Sequence, residues 1–373
     1  MMGDFEICGR RIGPGNPVYV VAELSGNHNQ DFERAVQLVH AAKKAGADAV
    51  KLQTYTPDTI TIDSDRQEFR IGGGTLWDGK TLYELYGEAY TPWDWQPRLK
   101  RVADELGLDF FSSPFDATAV DFLERMDVPA YKLASCELVD LPLIRKMAQT
   151  GKPLIMSTGL ATVEEIEEAI ATAQDAGAKE IALLKCTSAY PAPAEEMNLR
   201  TIQELARRFS VPVGLSDHTK GIAVPVAAVT LGACIVEKHL TLSRSLGGPD
   251  AEFSLEYQEF KEMVEAVRVA ERALGSVHFG ATPREQTSLR FRRSLFVVRD
   301  MSEGEVFTLQ NVRSIRPAQG LHTRYLPQIL GKRAARPIRR GTPLSWELVE
   351  NPECQADDTR ACEVTFAERS VAE

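Results

Sequence analysis

The chain has 373 residues, a length that predicts one large domain and a smaller one rather than a single small core. With 43% hydrophobic and 26% charged residues it has the composition of a soluble globular protein, and its formal net charge of −10 disfavours nucleic acid as a partner. No apolar run reaches the length of a membrane-spanning helix, the N-terminus lacks the apolar segment of a signal peptide, and six scattered cysteines without a CxxC pair favour reduced thiols in the cytoplasm over a structural zinc site.

Between residue 18 and about residue 240, short β-branched runs alternate with amphipathic helical patterns. The predicted strands are Val18–Glu23, Ala49–Thr54, Asp109–Ser113, Ala130–Ala134, Pro153–Ser157, Ile181–Cys186, Val211–Ser216 and Cys234–His239. Predicted helices between and after them include Phe32–Ala45, Trp95–Leu106, Val163–Ala176, Pro225–Leu231 and a last one at about Leu255–Leu274. Eight strand–helix units with no linker among them predict an α/β fold, a (β/α)8 TIM barrel over residues 1–275, rather than a doubly wound sheet.

The connection after the second strand, residues 62–95, is long and rich in glycine, aromatic and charged residues. Loops of this length on a compact barrel more often cover a substrate than serve as passive surface. We therefore expect residues 62–95 to form a lid over the active site.

The character of the sequence changes after Gly275. Residues 276–293 are polar and charged, which predicts a linker. Residues 294–350 contain short strand patterns separated by turns, which predict a small β-clip module. The last segment, 351–373, is polar without periodicity and is predicted to be disordered.

Functional side chains of a TIM barrel gather at the C-terminal ends of its strands. These ends carry Lys51 and Lys132 beside Ser and Thr residues, and an inward lysine beside hydroxyls predicts an anionic substrate. His218 and His239 end neighbouring strands, which leaves a metal site and a structural role equally open. Lys51 alone is also compatible with the Schiff-base lysine of an aldolase.

Several motifs in this order resemble the sialic acid synthase family, among them AELSGNHNQD (22–31), KLQTY (51–55), YKLAS (131–135), KCTSAYPAP (185–193), GLSDHT (214–219), EKHLTL (237–242) and GGPD (247–250). Residues 294–349 resemble its C-terminal antifreeze-like (SAF) domain. The resemblance implies condensation of phosphoenolpyruvate with an amino-sugar aldehyde. Composition, charge and the lack of long apolar runs add the expectation of a cytoplasmic enzyme that binds neither nucleic acid nor membrane. A non-enzymatic, ice- or ligand-binding role for the C-terminal module is an alternative.

Segment 73–93, GGTLWDGKTLYELYGEAYTPW, resembles the branch of the family that makes pseudaminic acid. The aldehyde would then be 2,4-diacetamido-2,4,6-trideoxy-L-altrose. The alternatives are synthesis of N-acetylneuraminate or legionaminate and, in a different class, a Schiff-base aldolase with Lys51 or Lys132 as its nucleophile.

The resemblance also assigns expected roles to individual residues. Phosphoenolpyruvate would be held by Lys51, Ser113, Lys132, Ser135, Ser188 and Ser216, although the neuraminate branch has Thr and Asn at the positions of Ser113 and Ser188. A divalent metal (Mn2+, Mg2+ or Co2+) would be bound by His218 and His239, and Gln53, Tyr190 and Asp250 would line the sugar. Glu23 is the expected proton carrier, with Glu237 as its competitor and Lys51 as a further catalytic residue. Arg316 would reach from one subunit into its partner's barrel, which implies a domain-swapped homodimer.

Overall fold

The computed structural model describes residues 5–350. Its strands are β1 (Glu6–Ile7), β2 (Arg10–Arg11), β3 (Tyr19–Glu23), β4 (Ala49–Thr54), β5 (Asp109–Pro114), β6 (Tyr131–Leu133), β7 (Leu154–Ser157), β8 (Ile181–Cys186), β9 (Val213–Asp217), β10 (Ile235–Thr241), β11 (Leu255–Glu256), β12 (Ser294–Val297) and β13 (Val312–Ile315). Its α-helices are α1 (Phe32–Ala45), α2 (Pro57–Ile60), α3 (Leu82–Ala89), α4 (Gln96–Leu106), α5 (Ala117–Arg125), α6 (Leu141–Ala148), α7 (Val163–Asp175), α8 (Thr201–Phe209), α9 (Ala223–Thr230), α10 (Tyr257–Leu274) and α11 (Leu326–Ile329). Short 3-10 helices span Gln67–Phe69, Cys136–Val139, Ala194–Glu196, Arg244–Leu246, Ala251–Phe253, Gln286–Phe291, Thr323–Tyr325 and Trp346–Leu348.

Strands β3 to β10 form a closed parallel barrel, because β10 pairs with both β9 and β3. Each predicted barrel strand ends within two residues of the observed one, and β4 and β8 match at both ends. The predicted (β/α)8 fold is confirmed. In the closing register Glu23 lies opposite both Lys51 and His239, so the strand ends of β3, β4 and β10 meet at one edge.

The helices between the strands begin and end where local signals place them. Thr162 and Glu165 form a capping box at the start of α7, and the Asp140 side chain accepts a hydrogen bond at the start of α6. Gly46 ends α1 with a φ of +89°, a left-handed conformation that glycine adopts without strain. The outward strand faces pack against these helices in one apolar core.

The inward side chains in the N-terminal half of the barrel form a second apolar cluster, which we call the floor. Its members are Phe5, Ile7, Ile12, Tyr19, Val21, Ala49, Phe111, Ala130, Ile155, Ala182, Leu184, Cys234 and Ile235. Phe5, Ile7 and Ile12 come from the β1–β2 hairpin and its flanks, which sequence patterns did not predict because two-residue strands have no periodicity. Space here is tight: a Cβ on Gly214 would lie 2.4 Å from the carbonyl oxygen of Ile235.

A second compact unit begins at Ser276. Its first residues include the exposed Val277 and Phe279 and the 3-10 helix Gln286–Phe291, in the stretch predicted to be a linker. Strands β12 and β13 pair antiparallel over a core of their own. The tail predicted at 351–373 lies outside the described residues.

Within residues 5–350, no helix combines the length and apolar character needed to cross a membrane.

Candidate active site

The strand alternation that builds the floor continues toward the C-terminal end of the barrel, where the inward side chains become polar. Two residues beyond Val21 comes Glu23, two beyond Ala49 comes Lys51, and two beyond Ile235 comes Glu237. All three charged side chains are buried. We call this half of the interior the mouth.

Lys51 is the centre of a buried ion cluster in the mouth. Its Nζ lies 2.6 Å from Glu23 Oε2 and 3.6 Å from Glu237 Oε1, and it donates to Ser113 Oγ at 3.3 Å. Gln53 Nε2 donates to the other Glu23 oxygen at 3.1 Å, and Ser216 Oγ donates to Glu237 Oε1 at 3.1 Å. The predicted Glu23, Lys51, Gln53, Ser113, Ser216 and Glu237 are therefore brought together by five strand ends.

The two carboxyl groups of the cluster differ in proton affinity. Burial raises the pKa of Glu23 above its ordinary value even though Lys51 opposes the shift. Burial acts in the same direction on Glu237, but the cations of Lys132 and Lys51 outweigh it and hold the pKa of Glu237 low. Two acids in one site whose pKa values are driven apart suit a proton donor and a permanent anion, respectively.

Lys51 itself is held as an ammonium ion. Burial acts to lower the pKa of Lys51, but Glu23 and Glu237 raise it above its ordinary value. Since a Schiff-base nucleophile must be a neutral amine, this environment disfavours Lys51 as an aldolase lysine.

Lys132 faces a set of hydroxyl groups across the mouth. Its Nζ donates to Ser157 Oγ at 2.6 Å and to the Leu133 carbonyl at 2.9 Å. The neighbouring Gly159 N–H donates to Ser135 Oγ at 3.2 Å, and a Cβ on this glycine would lie 2.5 Å from Ser188 Oγ. An ammonium group, hydroxyls and close backbone form a cradle that suits an anion with several oxygens.

His218 and His239 stand side by side, with ring centroids 5.3 Å apart. His218 Nδ1 lies 3.1 Å from the Thr187 carbonyl oxygen, and a proton on Nδ1 leaves Nε2 free as a ligand. His239 Nδ1 is buried and has no hydrogen-bond partner among residues 5–350. Burial lowers the pKa of His239 well below its ordinary value, so this ring is a neutral imidazole.

The two imidazoles fit a divalent cation that takes its other ligands from outside the protein. Within residues 5–350, no group of three or more His, Cys, Asp or Glu side chains could hold a metal ion. A metal bound by His218 and His239 would therefore complete its shell with water or substrate oxygens.

Comparison with known proteins places this site in a family. Residues 38–279 match the model of the NeuB family, and residues 292–350 match that of the SAF domain. The chain belongs to the NeuB family. It is 46% identical over 335 residues to pseudaminic acid synthase of Helicobacter pylori, covering 90% of this chain and 98% of that protein. It is 36% identical over 321 residues to N,N'-diacetyllegionaminic acid synthase of Campylobacter jejuni, covering 85% and 96%.

Solved structures agree with this NeuB-family membership. N-acetylneuraminic acid synthetase from Leptospira borgpetersenii, solved in complex with citrate, matches with a TM-score of 0.69 at 30% identity, over 78% of this chain and 97% of that one. Spore coat polysaccharide biosynthesis protein SpsE of Bacillus subtilis matches with a TM-score of 0.63 at 32% identity, over 94% and 100%.

The predicted lid of this NeuB-family protein reaches the mouth through Trp77. The indole ring lies 5.6 Å from the Tyr190 ring, and its Nε1 donates to the Pro249 carbonyl at 2.8 Å. The ring centroids of Tyr190 and His218 are 4.5 Å apart, and those of Phe253 and His239 are 4.9 Å apart. Trp77, Tyr190 and Phe253 form an aromatic wall beside the two histidines.

Asp250 accepts a hydrogen bond from Ser25 Oγ. Burial, reinforced by the charge of Glu23, raises the pKa of Asp250 to about 7. The predicted sugar-lining residue is thus coupled electrostatically to the predicted proton carrier.

Arg316 is the predicted site residue that lies in the second unit. It follows β13, its side chain is exposed, and it forms no hydrogen bond or ion pair with another residue of the described range 5–350.

Several side chains in the site were missing from the sequence-based set. Cys186, whose Sγ lies 3.8 Å from His218 Nδ1, and Ser157 occupy inward strand positions, so alternation could have identified both. Phe253 and Trp77 lie in connections without periodicity, and no sequence pattern distinguishes them from other loop aromatics.

Proposed function

We propose that this protein condenses phosphoenolpyruvate with 2,4-diacetamido-2,4,6-trideoxy-L-altrose to give pseudaminic acid and phosphate. The observation that carries the proposal is a buried anion cradle built on two lysines, directly beside two histidines, in one barrel mouth. The 46% identity to pseudaminic acid synthases supports the choice of sugar.

Phosphoenolpyruvate carries two anionic groups, and the mouth offers two buried ammonium groups to receive them. Lys51 and Lys132 each donate a hydrogen bond to a serine hydroxyl, and the charges of both act on Glu237. Ser135 and Ser188 line the cradle near Lys132, and Ser216 lies next to Glu237. These groups bind and orient the substrate and neutralise its charge, which is mainly a positioning contribution.

A divalent metal, Mn2+, Mg2+ or Co2+, would be held by His218 and His239. When bound, it would polarise the aldehyde carbonyl of the sugar as a Lewis acid. His218 is oriented for this by the Thr187 carbonyl, and Nδ1 of His239 is buried without a hydrogen-bond partner among residues 5–350.

The reaction forms a carbon–carbon bond and a carbon–oxygen bond from water, and it breaks the carbon–oxygen bond to phosphate. C3 of phosphoenolpyruvate attacks the aldehyde carbon, whose oxygen takes a proton and becomes a hydroxyl. Water adds at C2 and releases one proton, and cleavage of the C2–O bond then releases phosphate and leaves the 2-keto acid. Glu23, whose pKa is raised, is suited to deliver the proton to the aldehyde oxygen, whereas Glu237 stays ionised and stabilises positive charge developing at C2.

The decisive measurement is phosphate release that depends on phosphoenolpyruvate, with Mn2+ present and the trideoxy-altrose compared against N-acetylmannosamine. We expect a strong preference for the trideoxy sugar. A preference for N-acetylmannosamine would preserve the chemistry and disprove the assignment of the sugar, and the legionaminic acid precursor would be the next substrate to compare. Activity that survives a chelator and is trapped by borohydride would favour the aldolase instead.

We further propose a domain-swapped homodimer in the cytoplasm, in which Arg316 serves the partner's barrel. Residues 276–350 carry 13 Lys and Arg against six Asp and Glu, while the whole chain has a net charge of −10, so the second unit is electrostatically suited to an acidic partner. Mixing inactive Arg316→Ala chains with inactive His218→Ala chains tests this. Mixed dimers should regain part of the activity, because one barrel in each of them has its own His218 and the partner's Arg316 intact. If the arginine acts within its own subunit, mixing gives no recovery.

A further inference from the structure

A second buried ion pair lies immediately next to the two histidines, on the other face of the barrel wall. Lys238 Nζ donates to Asp217 Oδ2 at 2.6 Å, and both side chains are fully buried. Lys238 precedes His239 and Asp217 precedes His218, and the two residues are direct register partners across β9 and β10. Since neighbouring residues of a strand point to opposite faces, the pair faces outward while the histidines face the mouth.

Lys238 contacts the residues directly before and directly after His218 in the chain. Besides Asp217, the Lys238 ammonium donates to the carbonyl oxygen of Thr219. Asp217 accepts from the Thr219 backbone N–H at 3.0 Å and from the Thr219 hydroxyl at 3.1 Å. The residues before and after His218 are therefore both tied to the residue before His239.

Stability alone does not account for this arrangement. The outward positions on the same two strands are otherwise apolar, for example Leu215, Val236 and Leu240, which pack in the core between barrel and helices. Taking a lysine and an aspartate out of water costs free energy that their attraction only roughly offsets, and an apolar pair of similar volume is often as stable or more so. The ion pair therefore takes the place of apolar packing at the two positions that directly precede the histidines.

We propose that Asp217 and Lys238 are positioning residues that fix the separation and orientation of His218 and His239 as a pair of metal ligands. This inference rests on the metal site of the proposed function. Groups that orient metal-binding histidines typically change metal affinity by about 10- to 100-fold when they are altered.

The test measures the Kd of Mn2+ for the full chain without substrate, by electron paramagnetic resonance of free Mn2+, together with the Tm of the metal-free protein. Asp217→Asn keeps the volume of the side chain but removes its charge, and we expect the Kd to rise at least tenfold. The double variant Asp217→Val/Lys238→Met replaces the ion pair with apolar groups. We expect its Tm to recover relative to Lys238→Met alone while its Kd stays raised, since packing is restored without the hydrogen bonds to Thr219.

Asp48→Asn is the matched control. Asp48 lies before β4, at the opposite end of the barrel, and pairs with Arg268 at 2.9 Å. It should lower the Tm without altering the Kd for Mn2+.

Two kinds of result would overturn the inference. Wild-type affinity in Asp217→Asn, or in the double variant, would show that the ion pair does not position the ligands. Wild-type protein that binds neither Mn2+ nor Co2+ would remove the metal site and the inference together. Binding that His218→Ala abolishes and Asp217→Asn retains would remove the inference alone.

Discussion

The floor and the mouth of the barrel are built from the same strands by the same alternation, yet they hold opposite kinds of side chain. Phe111 and Ala49 are buried among apolar groups, while Ser113 and Lys51, two residues further along β5 and β4, are buried among charges. The comparison separates two tasks along the length of each strand. The floor buries apolar area and stabilises the fold, whereas the mouth holds charges whose burial is costly unless each finds a partner.

The largest effect is expected in the floor. Phe111→Ala removes a fully buried ring and should lower the free energy of unfolding by about 3–5 kcal/mol, measured by urea denaturation. Activity per folded molecule should remain close to wild type, because within residues 5–350 no floor side chain forms a hydrogen bond or ion pair with the cluster around Lys51. Ile155→Val, a smaller deletion in the same cluster, is the graded control and should cost about 0.5–1.5 kcal/mol. A large loss of activity per folded molecule in Phe111→Ala, in addition to the loss of stability, would show that floor and mouth are not separable.

In the mouth the effect should fall on activity. Lys51→Met removes the ammonium group that faces Glu23, Glu237 and Ser113, and we expect kcat to fall about 10²- to 10³-fold, as for loss of one preorganised electrostatic group. Lys152→Met is the control, since Lys152 pairs with Glu124 and Asp127 outside the barrel interior and should leave kcat unchanged. A kcat within a few-fold of wild type for Lys51→Met would contradict the role assigned to this lysine.

How far sequence alone could reach follows from the same comparison. Alternation predicts that Lys51 and Gln53 share a face, as do Glu237 and His239, because strand period is a local property of the backbone. Alternation also puts Lys238 on the opposite face, but it does not reveal that Asp217 on the neighbouring strand is its partner, since that pairing depends on register. The β1–β2 hairpin and Trp77 escaped prediction for a related reason: their positions are determined by tertiary contacts rather than by any repeating pattern.

Asp250 should make the stability of the folded protein depend on pH. Because burial and Glu23 raise the pKa of Asp250 to about 7, above the 3.8 of an unperturbed Asp, the folded protein holds an extra proton between these values. The contribution of this proton to the free energy of unfolding is fully present below pH 4 and is lost as the pH rises toward 7. Asp250→Asn removes this dependence, so its stability relative to wild type should increase from pH 4 to pH 7, by about 2 kcal/mol once partial solvent access is allowed for.

Thermal unfolding of both proteins across that pH range measures this effect. Ser25→Ala, which removes the hydroxyl donor but leaves the carboxyl group, should keep the pH dependence. A constant difference in Tm between Asp250→Asn and wild type at all pH values would mean that Asp250 titrates normally in the folded protein.

The smallest effect is expected where the lid meets the mouth. Trp77, Tyr190 and Phe253 present an apolar surface beside the histidines, which suits the methyl group of a 6-deoxy sugar better than the hydroxymethyl group of N-acetylmannosamine. Discrimination by an apolar pocket is modest, so Trp77→Ala should reduce the ratio of kcat/KM for the two sugars about tenfold, with the KM for phosphoenolpyruvate unchanged. Leu76→Ala, at an exposed neighbour, should leave the ratio intact.

Trp77→Phe separates the two contacts of this residue: it retains a ring against Tyr190 but loses the hydrogen bond to Pro249. Full selectivity in Trp77→Phe would assign discrimination to the aromatic surface, whereas selectivity lost as in Trp77→Ala would assign it to the anchoring of the lid. An unchanged ratio in Trp77→Ala would show that the lid does not choose the sugar and would move the search for specificity into the mouth itself.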